Sequence, residues 1–436
     1  MLTTRRYYGW YITIALAITE TISWGIVYYA FSVFMAPMER DLGWSRAQIT
    51  GGFSLVLLMT GVMAFPVGWW IDRHGARWLM TVGSIAATVL VLAWSQVTSL
   101  AGFYIIWASL GICSAAILYE PAFAVISTWF VRRRSMALAT VTFAAGLAST
   151  IFLPLSDALL DAFGWRDAVF GLGVFLGVTT IPLHALVLRR HPHDLGYLPD
   201  GEVHSFTATT QPQPSGVSLS KALHSRYFWI LTLVFSLSYL AAAAIRVHFI
   251  PLLIDAGVDA SVAAYASGAI GLMQVAGRVV FAPLDNRFST RVMVSGVFAL
   301  QAVAMLFLMV GTSLWSIGLF IVIFGAAYGA RTLARPSILA EVFGVSHYGR
   351  ISSVMVIFLT LAATIAPVGA GWLYDSFGSY DLMLWMILLL GIAASGIMIF
   401  ATPNSANQSL EIFALSQRME SDDKTSLIHT VGELSK

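Results

Sequence analysis

The chain has 436 residues, of which 58% are hydrophobic and 11% charged, and its mean hydropathy is +0.80. Soluble domains average about 45–50% apolar and about 25% charged residues, so a soluble fold is excluded. The single cysteine, Cys113, excludes a disulfide framework and a cysteine metal site, and the net charge of +2 says less than the placement of the charges.

Apolar runs of about eighteen or more residues read as membrane spans, and twelve occur, at roughly 11–35, 48–70, 78–97, 102–128, 136–160, 168–188, 227–254, 262–285, 292–311, 314–340, 351–373 and 382–401. The first is too long, with the wrong flanks, for a cleaved signal peptide. It opens on Tyr8-Gly9-Trp10, an interfacial aromatic belt, and carries Glu20, Trp24, Tyr28 and Tyr29 inside it. Asp41-Leu42-Gly43-Trp44-Ser45-Arg46 follows, with Ser45 placed to cap the second helix. Between the second and third spans lies Gly68-Trp69-Trp70-Ile71-Asp72-Arg73-His74-Gly75-Ala76-Arg77, a tight loop built from two glycines, one acid and two arginines. The fourth span carries Tyr119-Glu120-Pro121 and exits at Trp129-Phe130-Val131 before three arginines.

Residues 189–226, rich in Pro, His, Ser and Thr, divide the chain into an N-terminal bundle (1–188) and a C-terminal bundle (227–401). Residues 402–436 read as a polar tail. Most Lys and Arg fall in segments that lie on one side if both termini do, whereas the opposite side holds Arg40, Arg46 and Arg166. The positive-inside rule therefore puts both termini in the cytoplasm of a multi-pass protein of the plasma or inner membrane. The two bundles repeat each other at a constant offset. Arg73 and Arg77 recur as Arg287 and Arg291, Gly111 as Gly325, Pro37 as Pro251, and Asp161-Ala162-Phe163-Gly164 as Asp375-Ser376-Phe377-Gly378. Parallel six-span repeats put a substrate site near the midplane between the halves.

The loop pattern G-x-x-x-D-R-x-G-x-R resembles the signature loop of the major facilitator superfamily of secondary transporters, and the whole chain to about residue 401 is similar to that family in its repeat. Gly43-Trp44-Ser45-Arg46, Trp129-Phe130, Asp194-Leu195-Gly196-Tyr197-Leu198-Pro199-Asp200 and Gly277-Arg278 resemble the branch of monocarboxylate porters and oxalate–formate exchangers. The resemblance implies an all-α membrane fold of twelve helices and proton-linked or exchange transport of small carboxylates, with Arg278 as the carboxylate ligand. The chain departs from that branch in having Gln274 where animal members carry an acid, and no lysine in the first or eleventh span.

An arginine at a helix centre costs about 2.5–3.5 kcal/mol on insertion scales, so each one calls for a reason. Arg246, Arg278, Arg331 and Arg335 all lie in spans of the C-terminal half, whereas Glu20, Glu120 and Asp157 lie in the N-terminal half. The surplus of buried cation suits an anion. Arg278 shares a helix face with Gln274, and its fork suits a carboxylate; a bland reading is snorkelling to the interface. Snorkelling competes for Arg335 as well, and Arg331 shares a face with it; Arg246 reads as an outer-side substrate contact or gate, or else as a partner for Asp157, Asp255 or lipid phosphate. Glu20, Glu120 and His248 are candidates to carry a coupled proton. Glu120 is expected to pair with Arg335, because spans four and ten are symmetry partners. Tyr119 is a candidate cavity wall. Gly68, Asp72, Arg73, Gly75 and Arg77 are expected to latch one conformation rather than touch substrate.

The expected partners are a small organic anion, protons and the lipid bilayer, with no nucleic acid, for a monomer that needs no cofactor or metal. The alternatives are an exporter or antiporter of a larger amphipathic compound and a non-transporting membrane sensor. An enzyme is disfavoured by the lack of a phosphate-binding Gly-Lys-Ser/Thr loop, a His-Glu-x-x-His helix or a Gly-x-Ser-x-Gly elbow.

Overall fold

Every long apolar run forms a helix, because backbone groups in hydrocarbon must bond within their own segment. The computed structural model describes residues 7–201, 217–285, 288–344 and 347–401; the predicted tail and most of the predicted linker lie outside them. Four helices of the first half are α1 (Tyr8–Leu42), α2 (Arg46–His74), α3 (Arg77–Ser95) and α4 (Leu100–Trp129). The stretch Met136–Val187 is helical apart from Leu147 and Gly164, yet at about 1.5 Å per residue it is far too long for one crossing. Gly164, with φ of 75°, bends it back on itself, a conformation an L side chain resists. It therefore supplies two crossings, α5 (136–163) and α6 (165–187). The second half is α7 (Arg226–Asp255), α8 (Ala260–Asp285), α9 (Thr290–Val310), α10 (Leu314–Phe343), α11 (Tyr348–Phe377) and α12 (Asp381–Phe400).

Two local irregularities shape the first half. Trp24–Tyr29 of α1 is a π-helical turn, the kind of insertion that re-aims side chains at functional sites. In α4, Leu118 is extended, because Pro121 has no N–H for the Ile117 carbonyl and its ring crowds that turn. Glu120 thus starts a new helical segment, where an acid suits the positive end of the dipole.

The halves meet where α2 packs on α11, α5 on α8 and α1 on α7. Within the second half, α8 and α10 approach until their backbones touch. A Cβ on Gly277 would sit 2.1 Å from the Ala326 carbonyl oxygen, and one on Gly329 would sit 2.0 Å from that of Gln274. This approach sets Gln274 and Arg278 of α8 beside the Tyr328–Arg331 turn of α10.

The linker is tied down at both described ends. The Asp200 carboxylate accepts from the backbone N–H groups of Val131, Arg132 and Arg133 at 2.9, 2.8 and 3.2 Å, covering the start of α5. At its other end the Val217 N–H donates to the Phe343 carbonyl at 2.9 Å.

Candidate substrate site and the closure at one end

Three arginines of the second half converge on Tyr328. Arg246 of α7 donates through Nη2 to the Tyr328 hydroxyl. Arg331, one turn further along α10, is 3% exposed. Its guanidinium lies over the rings of Tyr239 and Tyr328, 4.1 and 4.5 Å from their centroids. Its Nη1 donates to the Ser238 carbonyl at 2.7 Å and to the Ser238 hydroxyl at 3.1 Å. Arg278 is half-buried, with Nε unpartnered and Nη1 3.5 Å from the Thr142 carbonyl across the interface between halves. Arg246 and Tyr328 share a small pocket with Tyr29, Ser149, Ser267 and Gln274. The Ser149 hydroxyl in its wall has no partner.

The first half faces this cationic cluster with an acid behind an aromatic wall. Glu20 is fully buried; one carboxyl oxygen accepts from Trp24 Nε1 at 3.1 Å and the other, Oε1, meets no donor. The Trp24 ring packs on Tyr119 at 5.2 Å, and Tyr119 stacks on Phe123 at 5.0 Å. Tyr119 lies within electrostatic reach of Glu20, Tyr29, Tyr328 and Arg278. The structure therefore brings Arg246 and Gln274 to one pocket with Tyr328, sets Arg278 at the seam between the halves and Arg331 behind Tyr328, and buries Glu20 behind Trp24 and Tyr119 in the other half. The expected Glu120–Arg335 pair is not among these contacts. Glu120 is exposed and Arg335 half-buried, and among the described residues no hydrogen bond or ion pair joins them. The helix break at Leu118 accounts for this, since it turns Glu120 out at the start of a new segment.

A second cluster closes the end of the bundle at the start of α2. Arg46 is 5% exposed. Its guanidinium forks onto Asp255 of α7 at 2.5 and 2.9 Å, and Nε reaches Glu39 of α1 at 3.1 Å. The same group lies 3.7 Å from the centre of the Tyr374 ring. The N–H groups of Arg46 and Ala47 donate to the Asp375 carboxylate of α11, which sits where the α2 dipole favours an anion. Arg46 Nη1 also donates to the Tyr380 hydroxyl at 2.9 Å, which in turn is 2.8 Å from His248 Nδ1. His248 Nε2 is 2.8 Å from the Pro367 carbonyl. These contacts form one consistent chain: Arg46 donates to Tyr380, Tyr380 to His248, and His248 to Pro367. His248 thus lies in this closure, with both ring nitrogens engaged, and not in the arginine pocket. Sequence reasoning missed Arg46 as a hub. The available signal was the row of acids, Glu39, Asp255 and Asp375, at span ends on the side with few arginines.

The signature loop braces its own half. Arg77 donates through Nε and Nη2 to the Ala185 carbonyl at 2.9 and 2.6 Å. Arg190 donates to the Arg73 carbonyl at 2.6 Å, and the Arg73 guanidinium lies over Trp69 at 4.3 Å. Gly75 has φ of 77°, and a Cβ there would strike the Arg190 side chain. Gly68 faces open space; the Asp72 side chain lies outside the described residues, as does the decayed second copy at Asn286 and Arg287.

A family model described as Major Facilitator Superfamily matches residues 16–271 and 237–414. The chain belongs to this superfamily. Members are transporters, not enzymes, so the chain is a multi-pass membrane transporter of the major facilitator fold. Among its relatives, an uncharacterised MFS-type transporter of Bacillus subtilis (strain 168), YcxA, is 25% identical over 84% of this chain and 88% of its own. Monocarboxylate transporter 12 of Xenopus laevis is 24% identical over 88% of each chain, and that of Rattus norvegicus 26% identical over 88% of this chain and 85% of its own. A solved bacterial homolog of the human lysosomal transporter Spinster, in an inward-facing and unoccupied conformation, superposes with a TM-score of 0.68 at 16% identity, covering 91% of this chain and 96% of that one.

Proposed function

We propose that this transporter moves a small organic anion, a monocarboxylate first among them, together with protons and by alternating access. The carrying observation is the cationic pocket between the halves: Arg246 and Tyr328 line it with Ser149 and Gln274, Arg278 lies at the seam beside Thr142, and the buried carboxyl of Glu20 belongs to the other half. Guanidinium forks bind carboxylates bidentately and stay charged at any working pH. A surplus of cation between the halves is costly until an anion enters. The monocarboxylate transporters among the relatives support the carboxylate class, and the charge pattern of the loops supports cytoplasmic termini. Substrate bound at the arginines brings a carboxylate near Glu20, and mutual repulsion then favours a proton on Glu20. That is a physical route to proton–anion symport. The closure at Arg46 represents one end of the alternating cycle, in which the two bundles rock about the midplane site.

Thermal stability of the purified protein against acetate, lactate, benzoate, succinate, neutral sugars and lipophilic cations tests this reading. A ligand at about 100 times its dissociation constant adds about 2.7 kcal/mol to the folded state. We expect one carboxylate to stabilise the wild type and to lose that effect in Arg278→Ala. Stabilisation by lipophilic cations alone, unchanged in Arg278→Ala, would instead favour an exporter of amphipathic compounds.

A further inference from the structure

Arg331 is the deepest of the clustered arginines, and its surroundings differ in kind from those of Arg246 and Arg278. It does not line the pocket that Arg246, Tyr328 and Gln274 share. Its guanidinium packs over the rings of Tyr239 and Tyr328 and bonds to Ser238. Ser238 is itself held, donating to Gln301 Oε1 of α9 at 2.6 Å. Cation–π contacts of this type fix a ring against a desolvated guanidinium, and the planar fork fixes the guanidinium in turn. The stack therefore sets where the Tyr328 hydroxyl points. That hydroxyl accepts from Arg246 and, among the described residues, donates to no protein group. Its own proton is left to face the pocket.

We infer that Arg331 is a positioning residue, which through its stack on Tyr328 holds the Tyr328 hydroxyl against Arg246, and that Tyr328 O–H and the Arg246 guanidinium together seat the anion. This rests on the anion reading above and adds to it a ligand residue, Tyr328, and a role for Arg331 that involves no contact with substrate. The chemistry selects a carboxylate. One oxygen takes the Tyr328 proton while the Arg246 fork takes the other, and the Ser149 and Gln274 side chains in the same wall remain for an oxygen next to the carboxyl group. A cation or a neutral lipid-like compound gains nothing from this set of donors.

The test uses the full chain, purified, with whichever of acetate, lactate, benzoate and succinate stabilises the wild type most. Tyr328→Phe keeps the ring on Arg331 and removes the hydroxyl, both its proton and the acceptor that Arg246 uses. It is expected to cost ligand-free stability the one bond from Arg246, to weaken the carboxylate about tenfold, and to raise KM in proteoliposomes without a matching loss of Vmax. Arg331→Lys keeps the charge but cannot fill the planar slot, and is expected to weaken the same carboxylate by a similar factor. Because both act through one hydroxyl, the double variant binds no more weakly than the weaker single one. Unchanged affinity in Tyr328→Phe overturns the proposal even if Arg331→Lys fails to fold. Losses that multiply in the double variant overturn the positioning role of Arg331. If no carboxylate stabilises the wild type, the anion reading falls and this inference with it; if one does and Tyr328→Phe binds it normally, the inference falls alone.

Discussion

Arg46→Gln is expected to release the closed end of the molecule. The substitution removes the fork on Asp255, the bond to Glu39 and the donor to Tyr380, and leaves two carboxylates facing each other. Breaking a fully buried ion pair costs about 3–5 kcal/mol. The Asp255 and Glu39 side chains are 30% and 28% exposed, so solvent screening reduces this to about 2 kcal/mol, roughly a 30-fold shift between closed and open populations. Spin labels on exposed Thr98, in the α3–α4 loop, and Leu314, the first residue of α10, both at the Arg46 end, read that shift directly. The wild type should give one short distance, and Arg46→Gln a second, longer one. An unchanged distance distribution would deny Arg46 its part in the closure. Arg46→Lys is expected to fall between the two, because a point charge keeps the attraction to Asp255 but loses the fork.

The second large effect concerns Glu20. Glutamine has the same shape and still accepts from Trp24 Nε1, but it cannot take up or lose a proton. In Glu20→Gln, carboxylate exchange across a proteoliposome membrane should continue within about threefold of wild type, while accumulation driven by a pH gradient should fall by about tenfold or more. The sign follows from the coupling. Acidifying the side from which substrate enters speeds wild-type uptake, because protonated Glu20 no longer repels the incoming carboxylate, and the variant shows no such acceleration. The Oε1 atom meets no donor, so the proton can come and go without breaking a protein hydrogen bond. A pH-driven accumulation that survives in Glu20→Gln would move the coupled proton to another group.

The elements that sequence reasoning placed correctly are those with a local cause. Twelve apolar runs are long enough to cross a bilayer, and the cap expected at Ser45 is present, with Ser45 Oγ accepting from the Gln48 N–H in a full capping box. The repeat pointed to paired bundles with charges between them. What the sequence hid depends on contacts between distant segments. Nothing local says that Arg46 would find Asp255, or that His248 would be consumed by Tyr380 and Pro367 rather than face the pocket. The expected Glu120–Arg335 pair follows symmetry between spans four and ten, but Pro121 breaks the helix beside Glu120 and spoils that register. Arg331 and Arg278 look alike in sequence. Only the rings of Tyr239 and Tyr328 distinguish an arginine that supports the site from one that faces it.

The most direct measurement is uptake into proteoliposomes under an inward proton gradient, using the carboxylate that stabilises the protein most. The account predicts accumulation that collapses with a protonophore and is lost in both Arg246→Ala and Arg278→Ala. Movement of a lipophilic cation instead, indifferent to both substitutions, would contradict it.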